Sequence, residues 1–109
     1  MKLKQYMLLL IFFLAHNCSN SVGNDVITKE GIVIWEGSYA VDGCGFSIEI
    51  EDKIYKPENE EIISVDFTIS HRTQAIIRFE YLHKELEYSC GFSGPQLREG
   101  IKLIAVSKI

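Results

Sequence analysis

Two Cys-Gly-Phe triplets, which contain Cys44 and Cys90, are the residues of this chain whose types are best suited to chemistry. A thiol beside a basic or imidazole group becomes a nucleophile, and cysteines in CxxC spacing or histidines in HxxxH spacing bind zinc. His71 and His83 stand at no such local spacing from either cysteine, and neither zinc pattern occurs. The sequence therefore favours a disulfide between Cys44 and Cys90 over cysteine catalysis or metal binding, and it predicts no cofactor.

The predicted disulfide would stabilise a small domain substantially. Its two cysteines are 46 residues apart, and closing a loop of that length is worth about 4 kcal/mol in the chain-entropy model. That is a large share of the stability of so short a chain. Gly43, Gly45 and Gly91 flank the cysteines, and we expect them to let the two backbones approach within the short Cα separation of a disulfide.

Two acidic constellations carry weaker signals. Glu49 and Glu51 share one face of a predicted strand about 7 Å apart, a separation that paired carboxylates of glycosidases use. His83, Glu85 and Glu87 have residue types that ligate metals. The outward face of a strand and a charged loop are more often simply solvated, so the sequence predicts no catalytic residue, no metal ligand and no enzyme.

Aromatic residues suggest binding instead. Trp35 and Tyr39 share one face of the predicted strand over residues 32–41, with Gly37 between them. On the outside of a small barrel they would form a stacking platform, and on the inside they would fill the core. The sequence favours the core, and it leaves Trp35, Tyr39 and Phe92 as a candidate binding surface.

Residues 1–21 have the pattern of an export signal: a basic start, an apolar run over residues 7–15 and a short polar stretch. The run is shorter than the about 20 apolar residues that span a bilayer. Two processing routes fit, since Cys18 becomes a lipidated first residue or is lost by cleavage after Ser21. The sequence favours lipidation, because a cysteine directly after an apolar run and before a polar tether is otherwise hard to explain.

The charge of the mature chain limits its partners. Of the 11 Lys and Arg residues, Lys2 and Lys4 belong to the signal, which leaves 9 against 15 acidic residues, a net charge of −6. Such a balance does not attract nucleic acid or anionic lipid head groups. We therefore expect an exported protein, outer-membrane-anchored or periplasmic, with no nucleic-acid partner and with membrane contact only through a lipid on Cys18.

We predict that residues 22–30 form a flexible tether and that residues 31–109 form a single β domain. Apolar side chains alternate with polar ones through most of it. The predicted strands cover residues 32–41, 46–50, 54–56, 63–69, 75–81 and 101–109.

The connections between these strands indicate the architecture. We predict hairpin turns at residues 51–53 and 70–74. We also predict at most one turn of helix at residues 57–61 and a long loop, which contains Cys90, over residues 82–100. Six short strands with a long bent first one predict an all-β fold. A small, partly open β-barrel of OB type fits them best, and a two-sheet β-sandwich is the alternative.

The run Gly-Cys-Gly-Phe at residues 43–46, the Tyr-Lys-Pro step at residues 55–57, a late Cys90 and an Ile-rich final strand together support a resemblance. Over residues 40–109 the chain resembles a group of small uncharacterised Bacteroidota lipoproteins with a Gly-Cys-Gly-aromatic motif and a C-terminal Ile-rich strand. This chain has Phe46 where Trp is common in the group. The resemblance implies an envelope lipoprotein and brings no activity with it.

Two functions are compatible with these observations. The first is a small, non-catalytic binding module of the cell envelope, which recognises a protein or glycan partner through residues 82–100 and the Trp35 face. The alternative is a structural or accessory subunit of an envelope assembly. An exposed aromatic patch would favour the first, and a long unpaired edge strand would favour the second.

Overall fold

The computed structural model describes residues 25–91 and 94–109. The strands are β1 (Ile27–Trp35), β2 (Phe46–Ile50), β3 (Lys53–Pro57), β4 (Arg72–Ser89) and β5 (Pro95–Lys108). Three short 3-10 helices lie in the connections, namely η1 (Tyr39–Val41), η2 (Glu60–Ile62) and η3 (Val65–Thr68). Among the described residues, no helix is both long and apolar enough to cross a membrane.

The strands form one sheet that closes into a barrel in the order β1-β2-β3-β5-β4. All neighbours are antiparallel except β3 and β5, which run parallel. Their seam is narrow, with Lys56 opposite Gly100 and Pro57 opposite Ile101. The prediction of an all-β, OB-like barrel is thus confirmed, and the alternative of a two-sheet sandwich is wrong because the single sheet closes on itself.

The barrel interior is filled by the apolar side chains that alternate along each strand. Ile77 and Phe79 of β4 are fully buried, as are Ile48 of β2 and Ile101 of β5. In β4 the intervening residues Ile76 and Arg78 are exposed, in keeping with the period of two along a half-buried strand, whereas in β2 the intervening Ser47 is buried as well. The core is therefore contributed by all parts of the barrel wall.

The predicted strand over residues 63–69 is wrong, because this segment follows η2 and contains η3. Ile63 and Phe67 are buried against the barrel, whereas Val65 and Ile69 are exposed. Buried residues at i and i+4 suit a helical turn as well as a strand. The Ser64 side chain decides for the turn, because its Oγ accepts a hydrogen bond from the Asp66 N–H and caps η3. The hairpin predicted at residues 70–74 is therefore absent, and five strands form instead of six.

The predicted loop over residues 82–100 is also wrong. β4 continues to Ser89 and β5 starts at Pro95, so the two strands form a long hairpin whose outer part, residues 82–89 and 95–99, we call the arm. A β-bulge between Tyr81 and Glu85 interrupts the ladder, with His83 at a left-handed φ of 57°. Bulges bend a strand and increase its twist, so the arm changes direction where it leaves the barrel.

The boundaries at the start of the domain also differ from the prediction. β1 begins at Ile27, so the sheet starts inside the predicted tether of residues 22–30. β1 ends at Trp35 rather than at residue 41, and residues 36–45 form a loop that contains η1. The predictions for residues 1–21, for Cys18 and for Phe92 lie outside the described residues.

Candidate functional site

A disulfide joins Cys44 and Cys90, with their Cα atoms 4.8 Å apart. The predicted pairing is confirmed. Cys44 lies in the β1–β2 loop and Cys90 follows the last residue of β4, at the tip of the arm. The bridge therefore links the tip of the arm covalently to the loop that follows the C-terminal end of β1.

Two glycines of the Gly-Cys-Gly motif are required by close approach. A Cβ on Gly43 would collide with the backbone of Gly37 across the loop. Gly45 has a left-handed φ of 70°, and a Cβ there would meet the Tyr39 ring at 2.6 Å. The motif thus brings Cys44 into position and makes room for an aromatic ring beside it.

Lys56 is buried under this loop, with 3 % of its surface exposed. Its Nζ donates hydrogen bonds to the carbonyls of Cys44 at 2.9 Å and Phe46 at 2.8 Å, and it pairs with the Glu60 carboxylate at 3.4 Å. Burial lowers the pKa of Lys56, and the charge of Glu60 opposes that shift. The i, i+4 spacing to Glu60 was the sequence signal for this pair, which our reading of the sequence missed.

Two tyrosine rings enclose the same ammonium group. Nζ of Lys56 lies 5.2 Å from the ring centre of Tyr39 in the loop and 4.5 Å from that of Tyr88 in the arm. Both separations are within the range of a cation–π contact. Lys56 therefore connects the β1–β2 loop to the arm beside the disulfide.

Glu60 holds the other side of the loop. One carboxylate oxygen accepts from the Phe46 N–H at 2.6 Å, and the other accepts from the Tyr39 hydroxyl at 2.8 Å. Burial raises the pKa of Tyr39, and the hydrogen bond to Glu60 adds to the effect. Tyr39 is thus held in place at its hydroxyl while much of its ring stays in contact with solvent.

An open groove of about 510 Å³ lies beside Tyr39, between the β1–β2 loop and η3. Trp35, Phe46 and Ile63 line its apolar base, and the Trp35 and Phe46 rings pack 4.5 Å apart between centroids. Tyr39, 46 % exposed, and Val65, 76 % exposed, also line it. We call this the Tyr39–Val65 groove.

Of the residues predicted as a binding surface, Trp35 and Tyr39 meet in this groove. Trp35 is half-buried and packs against the core, whereas Tyr39 is exposed because it belongs to η1 and not to β1. The expectation that both belong to the core is therefore wrong for Tyr39. Val65 was missed because its segment was read as a strand.

The acidic constellations have other partners. Glu49 pairs with Arg72, and Glu51 pairs with Lys29, on the outside of the barrel. In the part of the chain that the structure describes, no group of three or more His, Cys, Asp or Glu side chains is placed to hold a metal ion. His83 instead lines a second, polar hollow of about 410 Å³ at the bulge of the arm.

No protein-family model, curated protein or solved structure matches this chain.

Proposed function

We propose that this chain is a small, non-catalytic binding module of the cell envelope, which recognises a protein or glycan partner through the Tyr39–Val65 groove. The observation that carries the proposal is the exposure of apolar side chains around one concave surface. Val65 is 76 % exposed and Tyr39 is 46 % exposed, and both line the groove. Contiguous exposed apolar surface beside a polar rim marks interaction sites more often than single scattered residues do.

Two further features support an envelope location. The pattern of residues 1–21 is that of an export signal, and the Cys44–Cys90 disulfide is typical of a protein in an oxidising compartment. With a lipid on Cys18, the chain before Ile27 reaches at most about 30 Å. Trp35 lies at the other end of β1, about 26 Å beyond Ile27.

A structural or accessory subunit is the second candidate, and the arm is the feature that favours it. Within the described residues, β4 beyond Phe79 pairs only with β5, so its other edge is free. Lys84, Glu85 and Glu87 are exposed along this part of the strand. Charged side chains protect an edge from pairing with another strand, so this free edge is weak support for an assembly subunit. The groove therefore makes the binding module the better-supported function.

Photo-crosslinking in the native envelope tests the proposal. A photoreactive amino acid replaces Val65 in the full chain, and a matched variant carries it at Leu97, which is 64 % exposed on the arm. The proposal predicts a discrete adduct from position 65 that the variant at position 97 does not give. Equal labelling at both positions, or labelling at position 97 alone, would contradict it.

A further inference from the structure

Most of the polar side chains that line the Tyr39–Val65 groove are already hydrogen-bonded within the chain. The Ser38 hydroxyl oxygen accepts from the Ala40 N–H at 3.2 Å, and the Thr68 hydroxyl donates to the Val65 carbonyl at 2.6 Å. Both carboxylate oxygens of Glu60 are engaged as well. The groove therefore offers mainly apolar surface, and among the described residues its unused hydrogen-bonding groups are the Ser38 O–H, which does not donate in this bond, and the Glu61 carboxylate.

This composition disfavours a saccharide. A sugar carries a hydroxyl on most of its carbons, and burying those groups without partners costs free energy for each one. Trp35, the largest ring in the groove, is half-buried and packed against Phe46, so only part of its ring is open to an occupant. An occupant with apolar side chains matches the groove better.

The charge at the groove has one sign. Glu61 lines it, is exposed and takes part in none of the ion pairs among the described residues. Glu36, next to Trp35, is also exposed and in no such pair. The lining includes no Lys, Arg or His, and the nearby Lys56 ammonium is buried and already bound to Glu60.

On the basis of the proposed function, we infer that the occupant is a protein segment that inserts apolar side chains between Tyr39 and Val65 and places a Lys or Arg beside Glu61. Lys and Arg side chains suit this position because their aliphatic stems cover apolar surface while the charged head stays in water. The carboxylate of Glu61 then selects among apolar segments by charge.

Selection of random peptides displayed on phage against the exported, full-length processed protein tests this inference. We expect enriched peptides to combine aliphatic or aromatic residues with at least one Lys or Arg. Val65→Ser should weaken a selected peptide roughly tenfold, because it removes buried apolar area. Glu61→Gln should weaken it about two- to fivefold, as loss of an exposed ion pair does, and should reduce the dependence on salt.

Matched variants on the arm serve as controls, since Leu97→Ser and Glu87→Gln change equally exposed residues away from the groove and should leave affinity unchanged. Selected peptides without a cationic residue, or an unchanged affinity in Glu61→Gln, would overturn the inference. The proposed function would still stand in that case if Val65→Ser weakened binding. If no peptide is selected but the protein binds a glycan array in a way that depends on Val65, the inference of a protein segment is overturned and the proposed function stands. Binding that is insensitive to Val65→Ser would overturn both.

Discussion

Removing the Cys44–Cys90 disulfide should cost this domain a large part of its stability. The bridge closes a loop of 46 residues, which the chain-entropy model values at about 4 kcal/mol. A domain of this size has a total stability of only about 5–10 kcal/mol. With a urea m value of about 1 kcal/mol/M, the double variant Cys44→Ser/Cys90→Ser should unfold at a midpoint lower by about 4 M.

Urea unfolding followed by the fluorescence of Trp35, the only tryptophan of the chain, measures this difference. Wild-type protein reduced with a thiol gives an independent value for the same loss, because it keeps both cysteine side chains. We expect the reduced wild type and the double variant to agree. A loss below about 1 kcal/mol in both would refute the reasoning, since the closed loop would then contribute little to holding the arm on the β1–β2 loop.

Three further perturbations test the contacts around the bridge. Lys56→Met should lower the free energy of unfolding in urea by about 3 kcal/mol, because it leaves Glu60 without its buried cation. The control Lys53→Met removes the half-exposed ion pair with Glu99 and should cost under about 1 kcal/mol. Equal losses in the two variants would contradict this. Gly45→Ala should destabilise the fold by about 2 kcal/mol or more, because position 45 has a left-handed φ and the new Cβ would collide with Tyr39. The control Gly94→Ala also has a left-handed φ, of 75°, but open space around the new Cβ, so it should cost clearly less. A larger loss in Gly94→Ala would be inconsistent with the loop geometry. Burial raises the pKa of Tyr55 to about 12, so the folded state keeps its phenolic proton longer than the unfolded state and stability should fall between pH 10 and 12; an equally steep fall in Tyr55→Phe would argue against this cause.

The alternating pattern predicted the barrel wall well. The first part of β4 alternates because one of its faces is buried, and the sequence shows that directly. In β2 the apolar residues alternate in the same way, although Ser47 between them is buried too. The segment over residues 63–69 alternates too, yet it is helical. Its two buried members, Ile63 and Phe67, are four residues apart and fit both periods, so a local pattern could not separate the two structures.

The arm was mistaken for a loop because it is rich in charge. Leu86 and Tyr88 alternate with Glu85 and Glu87, which is a strand pattern, and the structure orders them on the two faces of the arm. What holds the arm is remote in sequence, namely the bridge to Cys44 and the contact of Tyr88 with Lys56. The sequence predicted the bridge from its two cysteines, but no local pattern indicated the contact between Tyr88 and Lys56.

The candidate site was predicted in part. Trp35 and Tyr39 do lie near each other, but not on one strand face, because the chain turns into η1 after Gly37. The Ser38 side chain accepts from the Ala40 N–H at the start of that turn. Val65 joins them only through the helical path of its segment, so the groove could not be assembled from the strand pattern.

The measurement that tests the binding groove most directly is NMR chemical-shift mapping with the partner segment captured at position 65. The largest shifts should fall on Trp35, Tyr39 and Val65, with those of Leu97 on the arm unchanged. Shifts concentrated on the arm, or spread evenly over the barrel, would show that this protein meets its partner through a different surface.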